Sequence, residues 1–426
     1  VNIKILTIGS RGDVQPYLAL GQGLIAAGHT VTLVTAGDFR ALCEQHGVPL
    51  APISVNVYAM MNNEAGLRAM ESGNMLGFFR KMMAQLMPAI EQTAREVIDH
   101  CQEADLILTS SLTLFAAALR DKFGIPFVPT YPQPTLPTRD FPSFTAPVAP
   151  AWFPFKRTYN LFTHYALLHL MYQMFRKPGN TVRTKMLGLS PMSPMLDLTE
   201  AFTGDFPILF GYSPAVIPPT SDMIASAHIT GYWFAQLTAW QPPADLVRFI
   251  EAGSPPVYVG FGSMTDRDPE ALTHLIADAL AQTGQRAVLL SGWGGIGKLH
   301  LPDTIHVVES VSHEWLLPRM AAAVHHGGAG TTAASLRAGL PTVIVPFIAD
   351  QPFFGERVHA LGVGPAPVAR KSLTAEALGA AIHTAVSDKA MRAKAVALGE
   401  CIRAEDGVAE AVRLIEAYGH RAVRAN

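Results

Sequence analysis

The chain opens on a run of aliphatic and β-branched residues, Asn2 to Ile8, with the near-continuous apolar character of a strand buried on both faces. The run stops at Gly9. From Pro16, a favoured first helical residue, the apolar positions Leu18, Leu20, Leu24 and Ile25 recur at helical spacing as far as Gly28. Thr30 to Thr35 reads as a second strand, which completes a βαβ unit. The alternation continues with a helix ending near Gln45, a strand over Asp105 to Thr109, a helix over Leu112 to Lys122 and an apolar segment from Gly124 to Pro129. Strands alternating with helices predict a doubly wound α/β domain.

Between Pro129 and Pro154 proline breaks this rhythm, and an aromatic stretch follows. It holds Trp152, Phe153, Phe155, Tyr159, Phe162, Tyr165, Tyr172 and Phe175. Helical spacing from Tyr159 onward predicts core packing, with an apolar acceptor channel or a membrane-touching surface as the alternative. Pro214 to Gln236 contains Pro218-Pro219 and few helical signals, so the interdomain linker is expected there. A second series then begins, with strands over Val257 to Phe261, Arg286 to Leu290, Thr304 to Val308, Ala322 to His325 and Thr342 to Val345. Val408 to Tyr418 reads as a last amphipathic helix. The predicted architecture is α/β, with two Rossmann-like doubly wound domains facing across a cleft. The expected boundaries are 1–213 for the first domain, 214–236 for the linker, 237–404 for the second domain and 405–426 for a helix returning toward the first.

Composition narrows the classes of function. The 426 residues are 49% hydrophobic with mean hydropathy +0.22, enough apolar material for two cores. Lys and Arg number 32 against 34 Asp and Glu, a balance that excludes the broad basic surface a nucleic-acid binder needs. No uninterrupted apolar stretch reaches the ~18 residues of a spanning helix, and Asn2 to Ile8 is too short for the apolar core of a signal peptide. A cytoplasmic protein is expected, with peripheral membrane contact left open. Cys43, Cys101 and Cys401 are odd in number and far apart, and are expected to be reduced and buried.

Glycine, hydroxyl and histidine converge at His326-Gly327-Gly328-Ala329-Gly330-Thr331-Thr332, between a predicted strand and a predicted helix. Glycines there let the backbone approach an anion, the open N–H groups of a helix N-terminus point at it, and the threonines add hydroxyl donors. His326, Gly328, Gly330, Thr331 and Thr332 are the candidate phosphate contacts; a glycine-rich tight turn is the alternative. His325, one residue earlier, is expected to pack in the interior. Ser263, in the loop after the first strand of the second series, is a candidate contact to a phosphate or leaving-group oxygen, or plain turn chemistry. Asp266 and Asp268 have the DxD spacing by which some sugar transferases hold a divalent metal. Asp268 precedes Pro269 and a helical run, however, so a helix N-cap is the better account and no metal site is expected.

Gly292 to Lys298 fits G-x-G-x-x-G and nearly fits a P-loop, but Leu299 stands where magnesium binding needs Ser or Thr. Nucleotide hydrolysis is not expected, and Trp293 in that loop either lies over a base or plays a structural part. Asp13 follows the first strand at the carboxyl edge of the sheet, where a carboxylate is placed to take a proton from an attacking hydroxyl. Capping a helix that begins near Pro16 is its alternative. Asp350-Gln351 offers two acceptors and an amide to sugar hydroxyls, or caps the next helix.

These residues resemble the glycosyltransferase B fold and, within it, the sterol glucosyltransferase group of the UDP-glycosyltransferase superfamily. The resemblance is carried by Ser10 to Pro16, Gly231 to Phe234, Ser312 to Leu316, His325 to Thr332, Leu336 to Pro341 and Asp350-Gln351, spread over most of the chain. It implies a UDP-sugar held by the second domain. His326, Gly328, Gly330, Thr331 and Thr332 would meet the diphosphate with Ser263 beside it, the backbone near Val311 with Trp293 would meet uracil, and Asp350 with Gln351 would meet glucose. It also implies that Asp13 is the catalytic base. Two positions depart from the plant branch, which carries His at the position of Asp13, helped by a separate Asp, and a ribose-holding Glu where this chain has Ala334. The ribose contacts stay unassigned.

The implied reaction moves glucose from UDP-glucose to a hydroxyl of a sterol-, terpenoid- or polyketide-like acceptor, with inversion to a β-glucoside. No metal or other cofactor is implied, the UDP-sugar being a substrate. A dTDP-deoxysugar transferase acting on a macrolide or glycolipid is the alternative of the same fold. A non-catalytic sugar-nucleotide or lipid-binding protein is the alternative of another class. The expected partners are a nucleotide sugar and a hydrophobic hydroxylated acceptor, without nucleic acid.

Overall fold

The computed structural model describes residues 1–55, 77, 84, 87–110, 113–150, 152–196, 206–236, 240–262, 268–292 and 300–425. They divide into two compact units, the first formed by Val1–Met61, Leu76–Thr238 and Asp406–Asn426, the second by Ala239–Glu405.

The first unit is built on β1 (Asn2–Leu6), β2 (Thr30–Ala36), β3 (Leu50–Ile53), β4 (Leu106–Thr109), β5 (Phe127–Tyr131), β6 (Ile208–Phe210) and β7 (Ala227–Ile229). They form one sheet of order β3-β2-β1-β4-β5-β6-β7, parallel at every pairing. Strand residues alternate between two apolar faces. Ile3, Ile5, Leu33 and Leu108 join α1 (Arg11–Ala26) through Tyr17, Leu18 and Leu24, and the C-terminal helix Gly407–Ala425 through Ala411, Val412 and Ile415. Leu6, Val34 and Ile107 face the other way, onto Val97 of α2 (Ile90–Cys101) and Ala116 and Leu119 of α3 (Thr113–Phe123). The C-terminal helix crosses α1 closely, since a Cβ at Gly23 would lie 2.3 Å from Val408 Cγ1.

Three expectations need correction. Helix α1 starts at Arg11, more than a turn before Pro16, because Ser10 supplies the cap; Pro16 lies inside the helix, where it cannot donate to the Gly12 carbonyl, and Gly12 is exposed to solvent. The passage 214–236 is part of the first unit: it carries β7, and Val216, Ile217 and Trp233 are buried. Trp233 donates Nε1–H to Thr230 Oγ1 at 2.9 Å and meets Tyr17 edge-on at 5.8 Å, so packing overrides the proline signal. Cys401 is exposed, whereas Cys43 and Cys101 are buried.

The second unit holds β8 (Val257–Gly260), β9 (Ala287–Leu290), β10 (Ile305–Val308), β11 (Ala322–His325) and β12 (Thr342–Ile344), in a parallel sheet of order β10-β9-β8-β11-β12. The carboxyl ends of all five strands point one way, as parallel pairing requires, and the order reverses between β8 and β11. In the first unit the same reversal falls between β1 and β4.

Candidate active site

In the first unit, the chain leaving β1 at the reversal point turns directly into α1. Ser10, with extended backbone, caps the helix. Its N–H and its Oγ–H both donate to Asp13 Oδ2, at 2.8 and 2.9 Å. Asp13 is therefore in the first helical turn rather than in a free loop, half-buried, with its carboxylate at the positive end of α1. A Cβ at Gly9 would sit 2.3 Å from Asp13 Oδ2, so only glycine leaves room for the carboxylate. Hydroxyls surround the turn: Thr7 donates to the Asp13 carbonyl at 3.2 Å, and Ser110, at the end of β4, donates to Thr7 Oγ1 at 2.9 Å. Burial raises the Asp13 pKa, with the two Ser10 hydrogen bonds pulling it back down. The result is a carboxylate poised toward proton acceptance.

In the second unit, β11 ends at His325, which is completely buried; its Nδ1 accepts from the Gly327 N–H at 3.0 Å. His326 follows and is also buried, its ring pinched between two backbones. A Cβ at Gly262 would lie 2.9 Å from its Cε1, and one at Gly328 would lie 2.5 Å from its Nε2. Burial pushes its pKa down to about 4, with the Gly260 carbonyl opposing, so the imidazole is neutral near pH 7. Gly327 has φ +90°, and a Cβ there would lie 2.7 Å from Ile344 Cγ2 and 3.0 Å from the Gln351 carbonyl oxygen. Helix α4 (Lys156–Asn180) belongs to the first unit; α5 (Pro269–Thr283) and α6 (Ala329–Arg337) belong to the second. Gly328 caps α6 without a side chain, and Gly330 is exposed with nothing within 4 Å of where its Cβ would be. Backbone there is open to an approaching anion.

The two threonines part company. Thr331 is half-buried at the third position of α6, whereas Thr332 is completely buried, its N–H bonded to the Gly328 carbonyl at 2.9 Å and its hydroxyl without a hydrogen-bond partner. Thr332 therefore keeps an unpaired hydroxyl inside the fold, while Thr331 stands nearer the open end of the helix. The alternation of helical faces explains it, since successive residues lie about 100° apart.

The pair Asp350-Gln351 opens α7 (Gln351–Ala360), Asp350 as the half-buried N-cap residue and Gln351 buried. Gln351 Oε1 accepts from the N–H groups of Phe347 and Ile348, at 2.7 and 3.0 Å. That oxygen holds the loop between β12 and α7. Between them and the strand, Ala349 adopts φ +60°, the one left-handed non-glycine residue among the described residues. Val311, after β10, is buried in the apolar cluster with Val308, Leu316 and Leu317, so any contact it makes with a ligand is through backbone. Asp268 accepts from the Ala271 N–H at 2.8 Å and caps α5. Ser263 and Trp293 lie outside the described residues.

The strand ends of this unit converge. A Cβ at Gly292, after β9, would lie 2.5 Å from the Gly262 carbonyl oxygen after β8; Gly262 abuts His326 after β11; Gly327 abuts Gln351 after β12. Sequence reasoning missed Ser10 and Gly9 as the holders of Asp13. The S-x-x-D spacing from Ser10 to Asp13 was the available signal.

Residues 3–126 match the glycosyltransferase family 28 N-terminal domain, and residues 290–418 match the erythromycin biosynthesis protein CIII-like C-terminal domain. The chain is 35% identical, over 97% of its length, to a sterol 3-beta-glucosyltransferase of Emericella nidulans, of which it covers 30%. It is 33% identical, over 96% of its length, to that of Komagataella phaffii, of which it covers 34%. The chain thus spans about a third of the length of these curated relatives. Among solved structures, the glycotransferase of kitacinnamycin matches with TM-score 0.68 and 19% identity, over 98% of both chains. A Streptomyces sp. SF2575 glycosyltransferase, SsfS6, complexed with thymidine diphosphate, matches with TM-score 0.64 and 20% identity, over 98% of this chain and 99% of that one. Two glycosyltransferase domain matches, similarity to these relatives along nearly the whole chain and the shared two-sheet fold make this chain a member of the UDP-glycosyltransferase superfamily, on the glycosyltransferase B fold.

Proposed function

We propose that this chain transfers glucose from UDP-glucose to the hydroxyl of a hydrophobic, sterol-like acceptor, inverting the anomeric centre to give a β-glucoside. The observation that carries the reading is the turn His326–Gly330: a neutral imidazole beside an open helix N-terminus, a donor set suited to a diphosphate. The acceptor oxygen forms the new bond to the anomeric carbon while the bond from that carbon to the diphosphate oxygen breaks, and the electron pair leaves with UDP. Asp13 takes the acceptor proton. Charge growing on the diphosphate is met by the α6 N-terminus, the Thr331 hydroxyl and His326. Ser263 beside the diphosphate, Trp293 and the backbone near Val311 at uracil, and Asp350 with Gln351 at glucose complete the proposal, with no metal.

The names of the relatives, sterol 3-beta-glucosyltransferases, support the choice of sugar and acceptor class. The test is mass spectrometry of the purified protein with UDP-glucose and a panel of sterols and other apolar alcohols. Gain of a hexose on the sterol is the expected result. Neither hexose gain nor UDP release from any combination would favour the non-catalytic binding reading. A second reading, a dTDP-deoxysugar donor, is favoured by the thymidine diphosphate in two fold relatives. Calorimetric titration with UDP and dTDP separates the two, tighter UDP binding being expected.

A further inference from the structure

No Asp or Glu occurs between Asp140 and Asp197, in a chain where acids outnumber Lys and Arg by 34 to 32. The same stretch carries six cations, Lys156, Arg157, Arg176, Lys177, Arg183 and Lys185. It also holds the five most exposed large apolar side chains among the described residues: Val148, Trp152, Phe155, Phe162 and Met195 are 67–79% exposed, and the next, Val1, only 44%. Core packing, the reading that helical spacing predicted for the aromatic stretch, is thus corrected for Phe162 and for Tyr165, which is also exposed, although Tyr172 is buried. Trp152, Phe153 and Phe155 meet edge to face with centroids 6.1 and 6.3 Å apart, and Tyr159 joins Phe153 at 6.0 Å. With ~150–250 Å² to each ring, the exposed Trp152, Phe155 and Phe162 present on the order of 400 Å², the size at which an apolar patch marks a binding surface.

Helix α4 extends that surface. Phe162, Tyr165 and His169 are exposed at three- and four-residue spacing, and the same face continues through Gln173, Arg176, Lys177 and Asn180. There the chain passes Pro178 into a π-helical turn, Thr181–Met186, and a cavity of about 400 Å³ opens along it. Arg176, Lys177 and Lys185 line it, with no acid among the lining residues. Arg176 Nε is buried there without a hydrogen-bond partner, and at the rim Lys185 pairs with Glu91 at 3.7 Å. Such a π-helical turn is rare and concentrates at functional positions.

We propose that this face docks on an anionic lipid bilayer, with Trp152, Phe155 and Phe162 entering the headgroup boundary and Arg176, Lys177 and Lys185 taking lipid phosphates. Aromatic rings favour that depth and cations gather where anionic lipid concentrates. A second copy of the chain fits poorly, because a symmetric contact sets this cationic face against itself. The inference rests on the acceptor reading above, since a sterol-like alcohol resides in membranes. Among the described residues no helix is long and apolar enough to cross one.

Co-sedimentation with vesicles of phosphatidylcholine, alone or mixed with phosphatidylserine, tests the proposal. Sedimentation with the mixed vesicles, weakened by salt, is expected. R176Q/K177Q should weaken it roughly 25-fold, at about fivefold per charge, and W152S/F155S/F162S should abolish it, both with UDP binding and melting temperature unchanged. Equal sedimentation of these variants, or none by the wild type, overturns the proposal. So does a dimer in analytical ultracentrifugation that the aromatic substitutions dissolve. Glucosylation of a cyclodextrin-delivered sterol without vesicle binding would overturn the docking alone; vesicle binding without any transfer would overturn the functional reading alone.

Discussion

Ser10 gives both its N–H and its hydroxyl to one oxygen of Asp13, at 2.8 and 2.9 Å, which leaves the other carboxylate oxygen to receive a proton. The two bonds favour the ionised form and burial opposes it. Losing the hydroxyl in Ser10→Ala should raise the Asp13 pKa further, so the acid limb of the kcat/KM profile moves to higher pH. Ser10→Thr should keep the wild-type limb. An unshifted limb in Ser10→Ala would deny Ser10 this part. Asp13→Asn should lower kcat about 10²–10⁴-fold, the range for a general base, with UDP affinity retained.

His326 makes stability depend on acid. Its folded pKa of about 4 lies below the ordinary 6.5, so between those values the unfolded chain holds a proton that the folded chain rejects. Its contribution is intact above pH 6.5 and drains as pH falls toward 4, by about 3 kcal/mol at this site. His325, depressed by burial and by His326 and His313, adds to the same slope. Denaturant melts at several pH values should show the loss, and His326→Gln should flatten it. An equally steep loss in that variant would mean that other groups carry it.

Two neighbouring glycines should separate folding from binding. Gly327→Ala forces a Cβ against Ile344 and the Gln351 carbonyl at φ +90°, and should cost about 2–4 kcal/mol of stability. Gly330→Ala meets nothing and favours the helix, so stability should hold or rise by up to about 1 kcal/mol. UDP affinity should nevertheless fall, because the new methyl stands where phosphate approaches. Thermal melts and UDP titrations on both variants check this.

The threonines make the complementary case. Thr331→Ala should weaken UDP binding, whereas Thr332→Val removes a buried hydroxyl that has no partner and should stabilise the protein by about 1 kcal/mol. Weaker UDP binding in Thr332→Val would instead identify its hydroxyl as a phosphate contact.

The continuous aliphatic strands were legible from sequence because burial on both faces demands them: β1, β2, β4 and β8 to β12 all lie on runs that periodicity marks. β3, with Pro52 inside it, and the three-residue β6 and β7 were not, being too short or too interrupted to show a period. In the site, glycine and hydroxyl types pointed to His326–Thr332, but nothing in the residue type says that Thr332 is fully buried and Thr331 only half-buried. That division comes from which side of α6 faces inward. Likewise, aromatic residues at helical spacing look like core whichever way the helix is turned, and only the packing of α4 reveals that Phe162 faces outward.

The helix Gly407–Ala425 completes the apolar face that α1 begins, while the residues of the second unit are threaded between them in the chain. During synthesis, the contiguous segment Ala239–Glu405 leaves the ribosome with its sheet ready to close before Val412 and Ile415 exist to cover Leu18 and Leu24. The unit made first is therefore finished last, and its half-covered face is the surface a nascent chain of this protein must keep from aggregating.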